Sequence, residues 1–181
     1  MKKLSLLAAL LLAVGTCSGC SAAESAATVI QAQGREYGQT IELSEGDIMS
    51  TAFFDMTVNS AQFLPEIDGY IPAEETDQFL VVNITVENTF DDMDPLPMSD
   101  ADFELGYNGA DETGTIFPED EFAVDQLPAE YEIEENGTVT GNLIYVVPGD
   151  AEDFQIYYYD LWSDDFEGNT YWLPFSVGQK V

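Results

Sequence analysis

One ten-residue run carries the clearest secondary-structure signal in the chain: Phe79-Leu80-Val81-Val82-Asn83-Ile84-Thr85-Val86-Glu87-Asn88. Apolar side chains recur at every second position from Leu80 to Val86, and β-branched residues are frequent. Because a strand places alternate side chains on opposite faces, Leu80, Val82, Ile84 and Val86 share one face. The run therefore predicts a central strand with this face buried.

The same two-residue period recurs on both sides of this run. The predicted inward sets are Phe54, Met56 and Val58; Ala101, Phe103, Leu105 and Tyr107; Val139, Leu143, Tyr145 and Val147 around Gly141; Phe154, Ile156 and Tyr158; and Tyr171, Leu173, Phe175 and Val177. A weaker strand candidate covers Gln39 to Leu43. No window has a sustained helical period, and parallel sheets need crossover helices. Six or seven strands separated by turn-rich loops predict an all-β sandwich or barrel.

The order of these strands resembles the telokin-like, immunoglobulin-like domains of unknown function found on bacterial lipoproteins. The resemblance covers roughly residues 48–177 and rests on Phe54 to Phe63, Phe79 to Asn88, Asp102 to Leu105, Gly141 to Pro148 and Phe154 to Tyr158. It implies an immunoglobulin-like antiparallel β-sandwich, similar to secreted mycobacterial immunogenic antigens. These domains have no agreed enzymatic activity, so the resemblance carries none over to this chain.

The N-terminus has the pattern of a secretory signal. Met1-Lys2-Lys3 is positive, an apolar run from Leu4 to Val14 follows, and small residues lead to Cys20. Eleven residues at about 1.5 Å each reach only about 16 Å, roughly half the hydrocarbon thickness of a bilayer. The run therefore does not predict a permanent membrane-spanning helix.

The end of this segment, Cys17-Ser18-Gly19-Cys20-Ser21, resembles the lipobox of bacterial lipoproteins. The resemblance implies lipidation of Cys20, with Cys17 as the alternative site and ordinary secretion without either cysteine as a further alternative. We predict a signal peptide at residues 1–19, a flexible tether at 20–38 and the sandwich at 39–181. The predicted location is the cell membrane, with a lipid anchor on its extracytoplasmic side.

Composition excludes several functions. The 181 residues include 35 Asp and Glu, four Lys and Arg and no His, for a net charge of −31. Binding to nucleic acid or to anionic lipid headgroups depends on clustered cations, which this chain lacks. A content of 45% hydrophobic and 12% aromatic residues is too high for a disordered chain. Both cysteines lie within the first 20 residues, so the folded part contains no disulfide.

The same composition removes most catalytic chemistry. Without His there is no histidine base, histidine zinc ligand or Ser-His-Asp triad, and without Cys in the domain there is no thiol catalysis. Pairs of carboxylates remain, and glycoside hydrolysis needs only such a pair. A carboxylate-dependent hydrolase is therefore the third-ranked function, because nothing selects one pair among so many acids.

Acidic loops make calcium the candidate cofactor, since calcium binds several oxygen ligands. The best predicted set is Asp160, Asp164, Asp165, Glu167 and Asn169. A second set is Asp91, Asp92, Asp94, Asp100 and Asp102. Neither set has the spacing of an EF-hand loop, and the alternative is that both are solvated loop tips that keep the protein soluble.

Aromatic residues near the C-terminus are the candidate ligand contacts. Tyr157, Tyr159, Trp162 and Trp172 surround two neighbouring predicted strands. An exposed aromatic face would bind a glycan or a protein, whereas the alternative is a face packed under the tether or the loops. We therefore predict a non-catalytic, extracytoplasmic binding module, with a calcium-stabilised surface domain as the alternative.

Overall fold

The computed structural model of the protein describes residues 36–90, 95–109, 112–117, 123, 125–160 and 168–178. The strands in these residues are β1 (Thr40–Glu42), β2 (Met49–Ser50), β3 (Phe54–Leu64), β4 (Asp77–Asn88), β5 (Leu96–Ser99), β6 (Glu104–Tyr107), β7 (Glu112–Thr113), β8 (Thr115–Ile116), β9 (Glu130–Ile133), β10 (Thr138–Pro148), β11 (Gln155–Tyr159) and β12 (Thr170–Pro174). A 3₁₀ turn, Asp100–Asp102, lies between β5 and β6.

Two five-stranded sheets form the layers of a sandwich. The first, which we call the aromatic sheet, has the order β1-β12-β11-β6-β7, and the second, the long-strand sheet, has the order β2-β3-β4-β10-β8. β5 and β9 form a separate two-stranded ribbon. β4 pairs antiparallel with β3 on one side and with β10 on the other, so it is central in its sheet. The predicted all-β sandwich and its central strand are confirmed.

The core lies between the inner faces of the two sheets. Ile156 and Leu173 of the aromatic sheet are buried in the same apolar cluster as the inward side chains of β4. Phe54 of β3 contacts Tyr158 of β11 edge to face, with ring centroids 4.8 Å apart, so rings from both sheets interlock. The four predicted core residues of β4 have no exposed surface: Leu80, Val82, Ile84 and Val86.

A second apolar cluster covers one end of the outer face of the long-strand sheet. Its strand members are Phe79, Val81 and Ile144, and the segments that cover them contribute Ile67 and Phe117. Phe117 packs edge to face on Phe79 at a centroid distance of 5.3 Å. This cover explains why β4 begins with apolar side chains on both faces.

The predicted start of β6 is wrong. The alternation placed Ala101 in the strand, but Ser99 accepts a hydrogen bond from the Ala101 N–H, and Asp102 accepts one from the Ser99 N–H at 2.7 Å. This reciprocal cap holds residues 100–102 in the 3₁₀ turn. The strand therefore begins only at Glu104, although Phe103 is still buried.

One pair departs from the predicted antiparallel arrangement. β1 runs parallel to β12, with Thr40 opposite Thr170 and Glu42 opposite Trp172, whereas the other strand pairs of the described residues are antiparallel. Asn169 contributes to this docking, because its Oδ1 accepts a hydrogen bond from the Gln39 N–H at 3.0 Å.

In the residues that the structure describes, no helix is long and apolar enough to cross a membrane.

Candidate functional site

The outer face of the aromatic sheet brings two predicted aromatic residues into contact. β11 alternates between half-buried and buried side chains, so Tyr157 points away from the core while Ile156 and Tyr158 point into it. Trp172 lies directly opposite Tyr157 in the antiparallel pair of β11 and β12. Their rings meet edge to face at a centroid distance of 4.7 Å. Both side chains are half-buried, so this pair forms a partly exposed aromatic face.

Carboxylates flank the aromatic pair on both sides. In register, Trp172 is opposite Glu42 of β1, and Tyr157 is opposite Glu104 of β6. Residues opposite one another on neighbouring strands lie on the same face of a sheet. One row across four strands therefore has the order Glu42, Trp172, Tyr157, Glu104, with an acid at each end. Both glutamates are exposed.

Next to Glu104 the aromatic sheet opens into a groove of about 490 Å³. The register of β6 with β11 ends at Glu104 and Tyr157, because the chain before Glu104 is held in the 3₁₀ turn instead of continuing the strand. Within the described residues β6 does not pair with Tyr159, whose side chain lines the groove. The apolar lining comes from Phe53 and from Leu96 and Met98 of β5.

Two carboxylates, of Asp102 and Glu104, also line the groove. Burial raises the pKa of the Asp102 carboxyl, and the hydrogen bond from the Ser99 backbone opposes that rise in part. The sequence contains no Lys, Arg or His between Glu36 and Gly178. No cationic side chain within that span can therefore neutralise the groove.

The predicted ligand-contacting aromatics have different outcomes. Tyr157, Tyr159 and Trp172 lie on one face and are all half-buried. Trp162 lies outside the described residues. Contact of these residues with a ligand remains a prediction. Sequence reasoning did not include Glu104 among the ligand contacts, although its position between inward Phe103 and inward Leu105 already indicated an outward side chain.

The first predicted calcium set is described only at its two ends. Asp160 and Asn169 lie side by side and are buried, whereas Asp164, Asp165 and Glu167 lie outside the described residues. Oδ2 of Asp160 accepts hydrogen bonds from the Asn169 N–H at 3.3 Å and from the Tyr171 hydroxyl at 3.2 Å. Asn169 binds the N-terminal segment through both ends of its amide, to the Gln39 N–H and the Glu36 carbonyl. These contacts give both side chains a structural role at the base of the loop.

The second predicted calcium set is also described only in part. Asp91, Asp92 and Asp94 lie outside the described residues, Asp100 is buried, and Asp102 caps the 3₁₀ turn and lines the groove. Within the described part of the chain, no group of three or more acids is placed to hold a metal ion.

The sequence profile of DUF4352, a domain of unknown function, matches residues 43–167. No curated protein matches the chain in sequence.

Solved structures share the fold at low sequence identity. The ycdA protein of Bacillus subtilis, described as a candidate lipoprotein, is 20% identical, with a TM-score of 0.56 over 73% of this chain and 39% of its own. The yjhA protein of Bacillus subtilis is 16% identical, with a TM-score of 0.51 over 74% of this chain and 98% of its own. MPT63, a secreted protein of Mycobacterium tuberculosis, is 12% identical, with a TM-score of 0.53 over 75% of this chain and 98% of its own. The chain thus spans well under half of the ycdA protein.

Proposed function

The chain belongs to the DUF4352 family, and on that premise we propose that it is a non-catalytic binding module, anchored by lipid on the extracytoplasmic side of the cell membrane. The observation that carries the binding role is the half-buried pair of Tyr157 and Trp172 on the outer face of the aromatic sheet. Aromatic side chains supply large contact areas at little cost in conformational entropy, so they are common in binding surfaces.

The anchor is argued from the sequence and supported by the relatives. A positive start, a short apolar run and small residues before Cys20 are the features expected of a lipoprotein signal. The description of the ycdA protein as a candidate lipoprotein supports the same assignment for this chain. Residues 20–38 would tether the sandwich, which we assign to the telokin-like branch of immunoglobulin-like folds.

The ligand class follows from the composition of the aromatic face. The row from Glu42 to Glu104 combines two aromatic rings with two carboxylates and has no cation. Such a surface can stack on a sugar ring and accept hydrogen bonds from its hydroxyl groups, or it can receive a basic segment of a protein. Both ligand classes are neutral or positive, which agrees with the acidic charge of the whole chain.

The test uses Trp172 as its own reporter. In the full chain with Trp162→Phe, Trp172 is the sole tryptophan, so its fluorescence reports on the aromatic face. We expect a saturable change in emission when neutral oligosaccharides or short basic peptides are titrated separately. Tyr157→Ala should weaken the apparent affinity by about tenfold, as for a contacting aromatic residue.

Tyr70→Ala is the matched control, because Tyr70 is 39% exposed and packs on Phe117, outside the aromatic sheet. It should leave the titration unchanged. The proposal is wrong if neither ligand class gives a saturable signal, or if the two tyrosine variants weaken binding equally.

A further inference from the structure

We propose that the groove beside β11 binds a small organic cation, an ammonium group attached to a compact apolar body. This inference rests on the proposed binding function and specifies its ligand chemistry at a second, adjoining position. The groove lies where Glu104 ends the pairing of β6 with β11, next to the aromatic face. Its lining combines carboxylates, tyrosine rings and apolar side chains, and each of these groups recognises a different part of such a ligand.

The carboxylates of Asp102 and Glu104 determine the sign of the charge that a ligand in the groove should carry. Both residues line the groove, and the sequence places no cationic side chain between Glu36 and Gly178 that could pair with them. Both side chains keep exposed surface, and covering a carboxylate with a ligand is costly unless an opposite charge compensates; partial burial already raises the pKa of the Asp102 carboxyl. A bound ammonium group would supply the missing positive charge and donate hydrogen bonds to the carboxylate oxygens. An anion would meet repulsion from both groups.

The rings of Tyr157 and Tyr159 favour an organic cation over a hydrated metal ion. Aromatic rings attract ammonium groups through their electron-rich faces, most strongly when water is excluded. Calcium instead needs six to eight oxygen ligands, and the described residues place no group of three or more acids that could hold a metal ion. Contact with Trp172 limits the freedom of the Tyr157 ring, so the groove wall is partly ordered before binding.

The remaining lining sets the size and polarity of the ligand body. A volume of about 490 Å³ lies within the range of small-molecule sites. Pro97 and Ala101, which are both exposed, present apolar surface in this volume, and the buried side chains of Phe53, Leu96 and Met98 form its floor. A ligand with only a charged group would leave that surface in water, whereas one with an aryl or alkyl body would cover it.

The test compares three probes that share one body and differ in charge: benzylammonium, benzyl alcohol and benzoate. Each is titrated by calorimetry into the full chain in non-ionic detergent, with titration into detergent alone as the blank. We expect benzylammonium to bind at least about tenfold more tightly than benzyl alcohol, because a charge-assisted hydrogen bond contributes on that scale. Benzoate should show no binding.

Glu104→Gln is the informative variant, because Asp102 also caps the 3₁₀ turn and its replacement would disturb the fold of the groove. It should weaken benzylammonium binding by about tenfold and leave benzyl alcohol unchanged. Glu87→Gln removes the same charge from an exposed position on the long-strand sheet and should leave both titrations unchanged. Tyr159→Ala should weaken the binding of benzylammonium more than the binding of benzyl alcohol.

Three results would overturn the inference: equal affinity for benzylammonium and benzyl alcohol, equal losses in Glu104→Gln and Glu87→Gln, or no binding of any probe. The second result would mean that the affinity for benzylammonium depends only on the overall charge of the protein. A saturable response of Trp172 to an oligosaccharide, with no preference for benzylammonium, would leave the proposed function standing and remove only the cation site. If neither the Trp172 fluorescence titration nor the calorimetric titration shows binding, both the proposed function and the cation site are contradicted.

Discussion

Ile84 shows how much of the core follows from single residues. It occupies the middle of β4, opposite Gly141 of β10, and has no exposed surface. A glycine at position 141 avoids a close contact, because a Cβ there would lie 2.6 Å from the Leu127 side chain and force that side chain to shift. The alternation of apolar residues correctly predicted that Ile84 is buried. The close approach of Leu127 could not be predicted, because it depends on a segment distant in sequence.

Replacing Ile84 with alanine tests the core assignment. The substitution removes buried methyl groups and leaves a cavity, so the free energy of unfolding should fall by about 2–5 kcal/mol. Denaturant unfolding of the full chain measures this change. Glu87→Ala, at an exposed position of the same strand, should change it by less than about 0.5 kcal/mol. A loss below about 0.5 kcal/mol for Ile84→Ala would place that face in solvent and refute the assignment.

At the scale of elements, the long strands were predictable and their connections were not. β4, β10, β11 and β12 each have an alternating pattern that identifies the buried face. The two-stranded ribbon of β5 and β9 was not predicted, since Pro97 lies within β5 and proline argues against a strand. The start of β6 at Glu104 depends on the Ser99 cap, and the Ser-x-x-Asp pattern from Ser99 to Asp102 already indicates this cap in the sequence.

The loop from Asp160 to Asn169 carries the calcium alternative. Calcium bound only by the folded state, at a hundred times its Kd, would stabilise the protein by about 2.7 kcal/mol, and magnesium would do less because it retains its waters. Thermal midpoints measured at fixed ionic strength with calcium, magnesium or neither test this prediction. The calcium-specific rise should disappear when Asp164→Asn and Asp165→Asn are combined.

Glu74→Gln combined with Glu75→Gln is the matched control, because it removes two exposed acids from another loop. It should retain any calcium-specific rise. Equal midpoints in all three buffers would eliminate the calcium site and leave a solvated loop held at its base by Asn169. A calcium-specific rise that persists in the Asp164 and Asp165 variant would favour the second candidate set, between Asp91 and Asp102, as the calcium site.

At the scale of the whole molecule, the negative charge of the chain bears on how the proposed lipid anchor would work. The net charge of −31 on the full chain should repel anionic headgroups, so we expect attachment to a membrane to use a covalent lipid and not charge. The proposed lipidation of Cys20 would supply that anchor through buried hydrocarbon instead of charge. The proposed tether, residues 20–38, would then set how far the sandwich extends from the membrane surface.

Cys20→Ala tests the anchor. Metabolic labelling with a fatty acid should disappear, and the protein should move from the membrane fraction to the medium. Cys17→Ala should keep both the label and the membrane location. If labelling survives in Cys20→Ala and is lost in Cys17→Ala, lipidation occurs at Cys17 and the predicted cleavage site is wrong.

The sequence by itself determined the class of fold, the central strand, the lack of His throughout the chain and the lack of Cys after position 20. Those properties depend on local alternation and on composition, which need no knowledge of which strands become neighbours. From the same local evidence, Tyr157 and Trp172 were candidate ligand contacts before any pairing was known.

Only the tertiary structure decided that β1 lies parallel to β12, that Glu42 and Glu104 flank the aromatic pair, and that a groove opens beside Tyr159. Each of these features joins segments that are far apart in the chain. Such neighbours are selected by packing and hydrogen bonding in three dimensions, and a pattern with a period of two residues carries no information about the partner of a strand.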